Sequence, residues 1–125
     1  MIEVVAAVIR RGDKILICQR PQGKNLAGFW EFPGGKVEEG ESKSFALARE
    51  CREELNVELQ VGQEICSVPH DYGTYSVYIT FFECSLASGE PTSAEHQAIE
   101  WVPPAQLKNY AFCPADSSLI DKLCQ

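Results

Sequence analysis

The sequence predicts an α+β fold in which a mixed β-sheet is sandwiched between α-helices. Three observations lead there. Runs rich in β-branched and aromatic residues stand on both sides of one amphipathic helical segment, and a second helical segment closes the chain. The 125 residues, 45 % hydrophobic and 23 % charged, suit one globular domain spanning residues 1–125. No repeat, low-complexity tract or Gly/Ser linker divides them.

Val4 to Ile9 is apolar and β-branched and reads as a strand. Gly12-Asp13 supplies turn chemistry, and Lys14 to Cys18 reads as its hairpin partner. The stretch PQGKNLAGFWEFPGG reads as a loop punctuated by glycine and proline, with a short strand at Glu31-Phe32. A helix is expected over Lys43 to Leu55, its apolar stripe formed by Phe45, Ala48, Cys51 and Leu55, with Leu47 beside them. Asn56 is the expected stop. Two long strands follow, in VELQVGQEICSV and TYSVYITFFECSL. SGEPTSAEH reads as a loop and QAIEWV as a strand stopped by Pro103-Pro104. The tail PADSSLIDKLC reads as a final helix opened by Pro114.

The formal net charge of −7 argues against a nucleic-acid polymer as partner, because nonspecific binding to one needs a basic face. It is compatible with a phosphorylated small molecule that arrives with divalent cations. The N-terminal segment MIEVVAAVIRR lacks the layout of a signal peptide, and no run approaches the length of a membrane span. A cytoplasmic protein that does not bind membranes is therefore expected. The six cysteines form no CxxC pair and sit mostly in apolar runs, which points to reduced core thiols.

Glu50, Glu53 and Glu54 stand at i, i+3 and i+4 and share one helix face, where like charges repel. A solvated polar face, helped by an Arg49–Glu53 pair, is one explanation. The other is a cation site. The helix is entered through the glycine-rich FPGGKVEEGE, which brings Glu41 and a backbone able to approach a ligand. Hard oxygen donors converging from a loop and a helix suit Mg²⁺ or Mn²⁺.

Gly35, five residues, Glu41, seven residues and then Arg49-Glu50-Cys51-Arg52-Glu53-Glu54-Leu55-Asn56-Val57 resemble the Nudix box, G-x5-E-x7-R-E-U-x-E-E-x-G-U, where U is bulky and apolar. Asn56 replaces the usual Gly but tolerates the left-handed backbone expected at a helix end. EVVAAVI, ILICQRP, AGFWEFPGGKVEEGE, EHQAIEWV and PADSSLI extend the resemblance over nearly the whole chain. They are similar to the MutT branch, above all to bacterial CTP pyrophosphohydrolases and 8-oxo-dGTP diphosphatases.

The resemblance implies the Nudix fold and a set of roles. Glu50 and Glu54 would be metal ligands, and Glu53 a ligand or the base that activates water. The carbonyl of Gly34 would be a further ligand, and Arg49 would orient the carboxylates. Glu50, Glu53 and Arg49 make up the implied catalytic set. Glu95 matches an additional metal or base position, the alternative being a solvated loop residue. Arg20 matches a phosphate-contacting arginine, the alternative being an ordinary surface residue. Lys36 is a weaker phosphate candidate, and Gly35 lies against the substrate. Asp116 matches a base-contacting position; ionised, it would only accept hydrogen bonds, and the alternative is a cap on the last helix. Phe112, Tyr75 and Trp30 either stack on a base or belong to the core. His70 and His96 have no ligand-spaced partner and read as structural.

The implied activity is a Mg²⁺-dependent (alternatively Mn²⁺-dependent) nucleoside triphosphate pyrophosphohydrolase. It would convert CTP, dCTP or an oxidised nucleotide such as 8-oxo-dGTP to the monophosphate and pyrophosphate, and so cleanse the nucleotide pool. The alternatives are hydrolysis of another nucleoside diphosphate derivative, or a non-catalytic nucleotide-binding module. Either a monomer or a homodimer fits.

Overall fold

The computed structural model describes residues 1–124. Seven strands form one mixed sheet: β1 (Ile2–Arg11), β2 (Lys14–Gln19), β3 (Trp30–Glu31), β4 (Gly34–Lys36), β5 (Glu58–Asp71), β6 (Ser76–Ser88) and β7 (Ala98–Val102). Helix α1 (Lys43–Leu55) follows β4. A 3₁₀ turn (Pro104–Asn109) and helix α2 (Pro114–Leu123) close the chain.

β1 organises the sheet. It runs parallel to β6 from Ile2↔Val77 to Ile9↔Cys84. Its other edge pairs antiparallel with β4 at Val4–Ala6, then with β2 at Arg10–Arg11. Successive side chains of β1 point to opposite faces, and both faces are apolar. Val5, Ala7 and Ile9 pack with Ala46, Leu47, Cys51 and Leu55 of α1. Ala6 and Val8 pack with Phe81 and with Leu119, Ile120 and Leu123 of α2. The expected sandwich of a mixed sheet between helices follows from these two cores.

Helix α1 has the expected bounds. The Ser42 hydroxyl accepts a hydrogen bond from the Phe45 N–H at 3.2 Å, and Asn56 adopts the left-handed conformation at φ 58°. The stripe differs from the expected one. Phe45 is 60 % exposed, while Ala46, Leu47, Cys51 and Leu55 are buried. Phe45 precedes Leu47 by two residues, about 160° around a helix of 3.6 residues per turn, so the two cannot share a face.

The glycine-rich stretch is also more regular than expected. The short strand is Trp30–Glu31 rather than Glu31-Phe32, and Gly34–Lys36 is a strand rather than a loop. Missing Cβ atoms allow it: a Cβ at Gly34 would run into the backbone carbonyl of Val5. The 3₁₀ turn was not expected either. All six cysteines are free, four of them buried. No helix of the described residues is long and apolar enough to cross a membrane.

Candidate active site

A cavity of about 420 Å³ opens where β1, β4 and α1 meet the loops before β3, β6 and β7. Its first wall is the helix face that carries the acidic cluster. Arg49 organises that face: its Nε donates to Glu41 Oε2 at 2.6 Å and its Nη2 to Glu41 Oε1 at 2.9 Å. Its Nη1 reaches Glu50 Oε1 at 3.0 Å and Glu53 Oε1 at 3.2 Å, and Nη2 also donates to the Lys36 carbonyl. This planar fork fixes several acceptors at once, which a lysine could not do. The pairing holds the Glu41 carboxyl below its usual range, chiefly through the Arg49 hydrogen bond.

Glu50 and Glu54 face the cavity. The bare backbone of Gly35 lies against them: a Cβ there would strike the Glu50 carboxylate and displace it. The Glu54 side chain is 10 % exposed and no arginine or lysine pairs with it. Burial first, then the charge of Glu50, push its pKa up to about 9, with Glu31 and Glu95 adding to the repulsion. A buried carboxyl in this setting either keeps its proton or waits for a cation.

The second wall comes from β3 and two loops. Arg20 donates from Nε to the Asn25 carbonyl at 2.7 Å and from Nη1 to Glu31 Oε1 at 3.0 Å. The other Glu31 oxygen lies 3.3 Å from His96 Nε2, which is also 3.6 Å from Glu54 Oε1. Glu95 stands exposed on the same loop and lines the cavity. β3 and β7 both pair with β2 at Cys18, which brings Glu31 and the loop before β7 together.

The far end is built by α2 and the β5–β6 loop. Asp116 is 4 % exposed, and its Oδ2 accepts the Phe32 N–H at 3.3 Å. Burial pushes its pKa well above the ordinary aspartate value, with a further contribution from Glu31. This burial favours the protonated carboxyl, which both donates and accepts, over the expected ionised, acceptor-only form. Nor is Asp116 the helix cap; that position is Cys113, with no side-chain bond. Tyr72 and Tyr75, with ring centres 5.3 Å apart, flank this end.

The structure thus brings Arg20, Gly34, Gly35, Lys36, Glu50, Glu54, Glu95 and Asp116 to one cavity. Arg49 stands behind it. Two expectations change. Glu53 does not line the cavity: its side chain is 59 % exposed at the rim, on Arg49. Phe112 does not line the cavity either. It is 9 % exposed and stacked on Phe32 with ring centres 5.3 Å apart, in the core. Trp30 likewise packs on Tyr110.

Sequence reasoning missed Glu31 and took His96 as merely structural. A charged residue between Trp30 and Phe32 in an apolar strand was a signal for Glu31. His96 offered none beyond lying next to Glu95.

Among the described residues, no three His, Cys, Asp or Glu side chains form a ready-made metal cage. The donor set nonetheless suits a hard divalent cation. Glu50, Glu54 and Glu95 line the cavity as oxygen donors, and Glu54, with no arginine or lysine partner among the described residues, is a carboxyl whose charge a cation would neutralise.

The Nudix domain profile matches residues 4–122. The chain is 42 % identical over 121 residues to the CTP pyrophosphohydrolase of Escherichia coli K12, covering 97 % of this chain and 90 % of that protein. It is 40 % identical over 125 residues to the putative 8-oxo-dGTP diphosphatase 2 of Mycobacterium tuberculosis, covering 98 % and 87 %. The crystal structure of a MutT Nudix hydrolase from Burkholderia pseudomallei superposes with a TM-score of 0.86 at 28 % identity, covering 96 % and 95 %.

Proposed function

This chain belongs to the Nudix domain family, and on that premise we propose that it is a MutT-like, Mg²⁺-dependent nucleoside triphosphate pyrophosphohydrolase of nucleotide-pool sanitation. The observation that carries the reading is the pairing, in one cavity, of the Glu50–Glu54 carboxyls with the buried Asp116. One end suits a metal-bound phosphate chain and the other a base.

Glu50, Glu54, Glu95 and the Gly34 carbonyl would hold the cation, with Glu53 joining from the rim. Mn²⁺ is the substitute metal. The bound cation supplies charge neutralisation on the phosphates and lowers the barrier to attack at phosphorus. Arg49 keeps Glu50 and Glu41 in place. Lys36 offers an ammonium to the phosphates. Arg20 spends two donors on Asn25 and Glu31 and keeps the rest of its guanidinium for substrate. A cavity carboxylate takes the proton of the attacking water. Water oxygen bonds to the β-phosphorus, the α–β bridge oxygen leaves with the nucleoside monophosphate, and pyrophosphate carries the new oxygen.

In its protonated form, which burial favours, the Asp116 carboxyl pairs a donor with an acceptor. That matches the N3 and N4 edge of cytosine, and equally the O6 and N7–H edge of 8-oxoguanine. Ordinary guanine presents two acceptors there and fits worse. A full set of box carboxylates weighs against a silent binding module. Pyrophosphate release with Mg²⁺ from CTP, dCTP, 5-methyl-dCTP, 8-oxo-dGTP, dGTP and 2-hydroxy-dATP tests the reading. Release from a cytosine or 8-oxoguanine nucleotide, at least about tenfold faster than from dGTP, is expected. No release from any of them overturns it.

A further inference from the structure

His96 is a buried polar group of the cavity that the proposed chemistry leaves unused. Its side chain is 4 % exposed and meets oxygens at both ring nitrogens. Nδ1 lies 2.8 Å from Ser93 Oγ. That oxygen already accepts the backbone N–H groups of Glu95 at 3.3 Å and His96 at 3.0 Å, so its single proton goes to Nδ1. The ring then carries its own hydrogen on Nε2. Nε2 lies 3.3 Å from Glu31 Oε2 and 3.6 Å from Glu54 Oε1, close enough for its partial positive charge to attract both carboxylates. One imidazole therefore joins three segments far apart in the chain: β3, the end of α1 and the loop that presents Glu95.

We infer that His96 is a positioning residue, whose ring ties the Glu95 loop to Glu31 and Glu54 and so sets where two carboxylates of the cation site stand. Without it, Glu31 and Glu54 would face each other with no donor between them, and the Glu95 loop would lose its inner anchor. The inference rests on reading Glu54 as a cation holder.

The test is Mn²⁺ binding to the full chain without nucleotide, followed by the loss of the free-ion electron paramagnetic resonance signal. Circular dichroism checks the fold. His96→Leu should weaken Mn²⁺ binding about 10–100-fold, the usual effect of removing a side chain that holds a ligand in place. His96→Gln places an amide N–H near the Nε2 position and should recover most of that loss. Ser93→Ala frees the tautomer and should fall between. At saturating Mg²⁺ the kcat of His96→Gln should stay within a few-fold of wild type, while the metal concentration for half-activity rises for His96→Leu.

Wild-type Mn²⁺ affinity in His96→Leu would overturn the inference, and so would a Gln variant no better than Leu. If the Leu variant fails to fold, unchanged affinity in Ser93→Ala overturns it instead. Glu54→Gln separates the two levels. Full affinity in that variant sinks the cation-site reading and this inference with it. Lost affinity there, with wild-type affinity in His96→Leu, sinks the positioning role alone.

Discussion

Each helix delivers one buried carboxyl to the cavity, and the two are held differently. Glu54, at the end of α1, has Glu50, Glu31 and Glu95 for electrostatic neighbours and no basic side chain except His96 at 3.6 Å. Asp116, in the first turn of α2, is more deeply buried but accepts a backbone N–H from Phe32. Desolvation raises the proton affinity of both. The surroundings of Glu54 are frustrated in a way that a proton or a cation relieves. Those of Asp116 favour the protonated acid, whose remaining donor and acceptor are free for a base. Similar burial thus yields an electrostatic end and a hydrogen-bonding end.

The largest expected effect comes from breaking the electrostatic end. Glu54→Gln should lower Mg²⁺-dependent kcat by about 10³-fold, the several kcal/mol that metal-borne charge stabilisation supplies. Pyrophosphate release at saturating substrate measures it. Arg49→Ala acts on the same end one step removed. It leaves Glu41 and Glu50 without their common partner, and kcat/KM should fall about 10²-fold. Arg49→Lys should recover little, because a single ammonium cannot reproduce the fork.

Breaking the other end should move a different parameter. Asp116→Leu should raise KM by about 10–100-fold for the preferred base, worth roughly 1–3 kcal/mol, with a smaller change in kcat. It also orphans the Phe32 N–H, so a drop in stability of about 1–3 kcal/mol should accompany it in denaturant melts. Asp116→Asn keeps a donor and an acceptor and should retain most of the affinity. A fall in kcat with KM unchanged would contradict the division of labour.

The smallest effect is a pH slope in the metal-free protein. The folded pKa of Glu54 is raised from 4.5 to about 9, so the native state keeps a proton that the unfolded chain releases. Its contribution is complete below pH 4.5 and is lost as pH rises toward 9, so stability declines across that window. Asp116 adds a slope of the same sign. Glu41, lowered by Arg49, has the opposite sign, and its contribution is lost only on acidification below its ordinary range. Melting temperatures between pH 5 and 9 should fall by several degrees, and Glu54→Gln should flatten the decline.

What the sequence made legible follows from local physics. Helix α1 was readable because its apolar residues recur at helical spacing and Asn56 is a local stop signal; the Ser42 cap at its start emerged only in the structure. The box carboxylates were readable because they lie on that helix. Phe45 misled because it stands three residues before Ala48, a helical spacing, while the buried face is centred on Leu47 and Cys51. β4 was hidden by Gly34 and Gly35, whose missing side chains read as a loop but permit close pairing with β1. The Glu31–His96–Glu54 contact was beyond reach, since it joins residues that only β2 pairing brings together. Phe112 could not be separated from base-stacking candidates without knowing that it stacks on Phe32 in the core.

The most direct test is a Mg²⁺ titration read by thermal melting, in wild type and Glu54→Gln at neutral pH. Metal binding to the native state should stabilise wild type by about 2.7 kcal/mol at 100 times the dissociation constant. Glu54→Gln should melt higher than wild type without metal and gain little when Mg²⁺ is added. A variant that keeps the full Mg²⁺-dependent rise would contradict the claim that Glu54 waits for a cation.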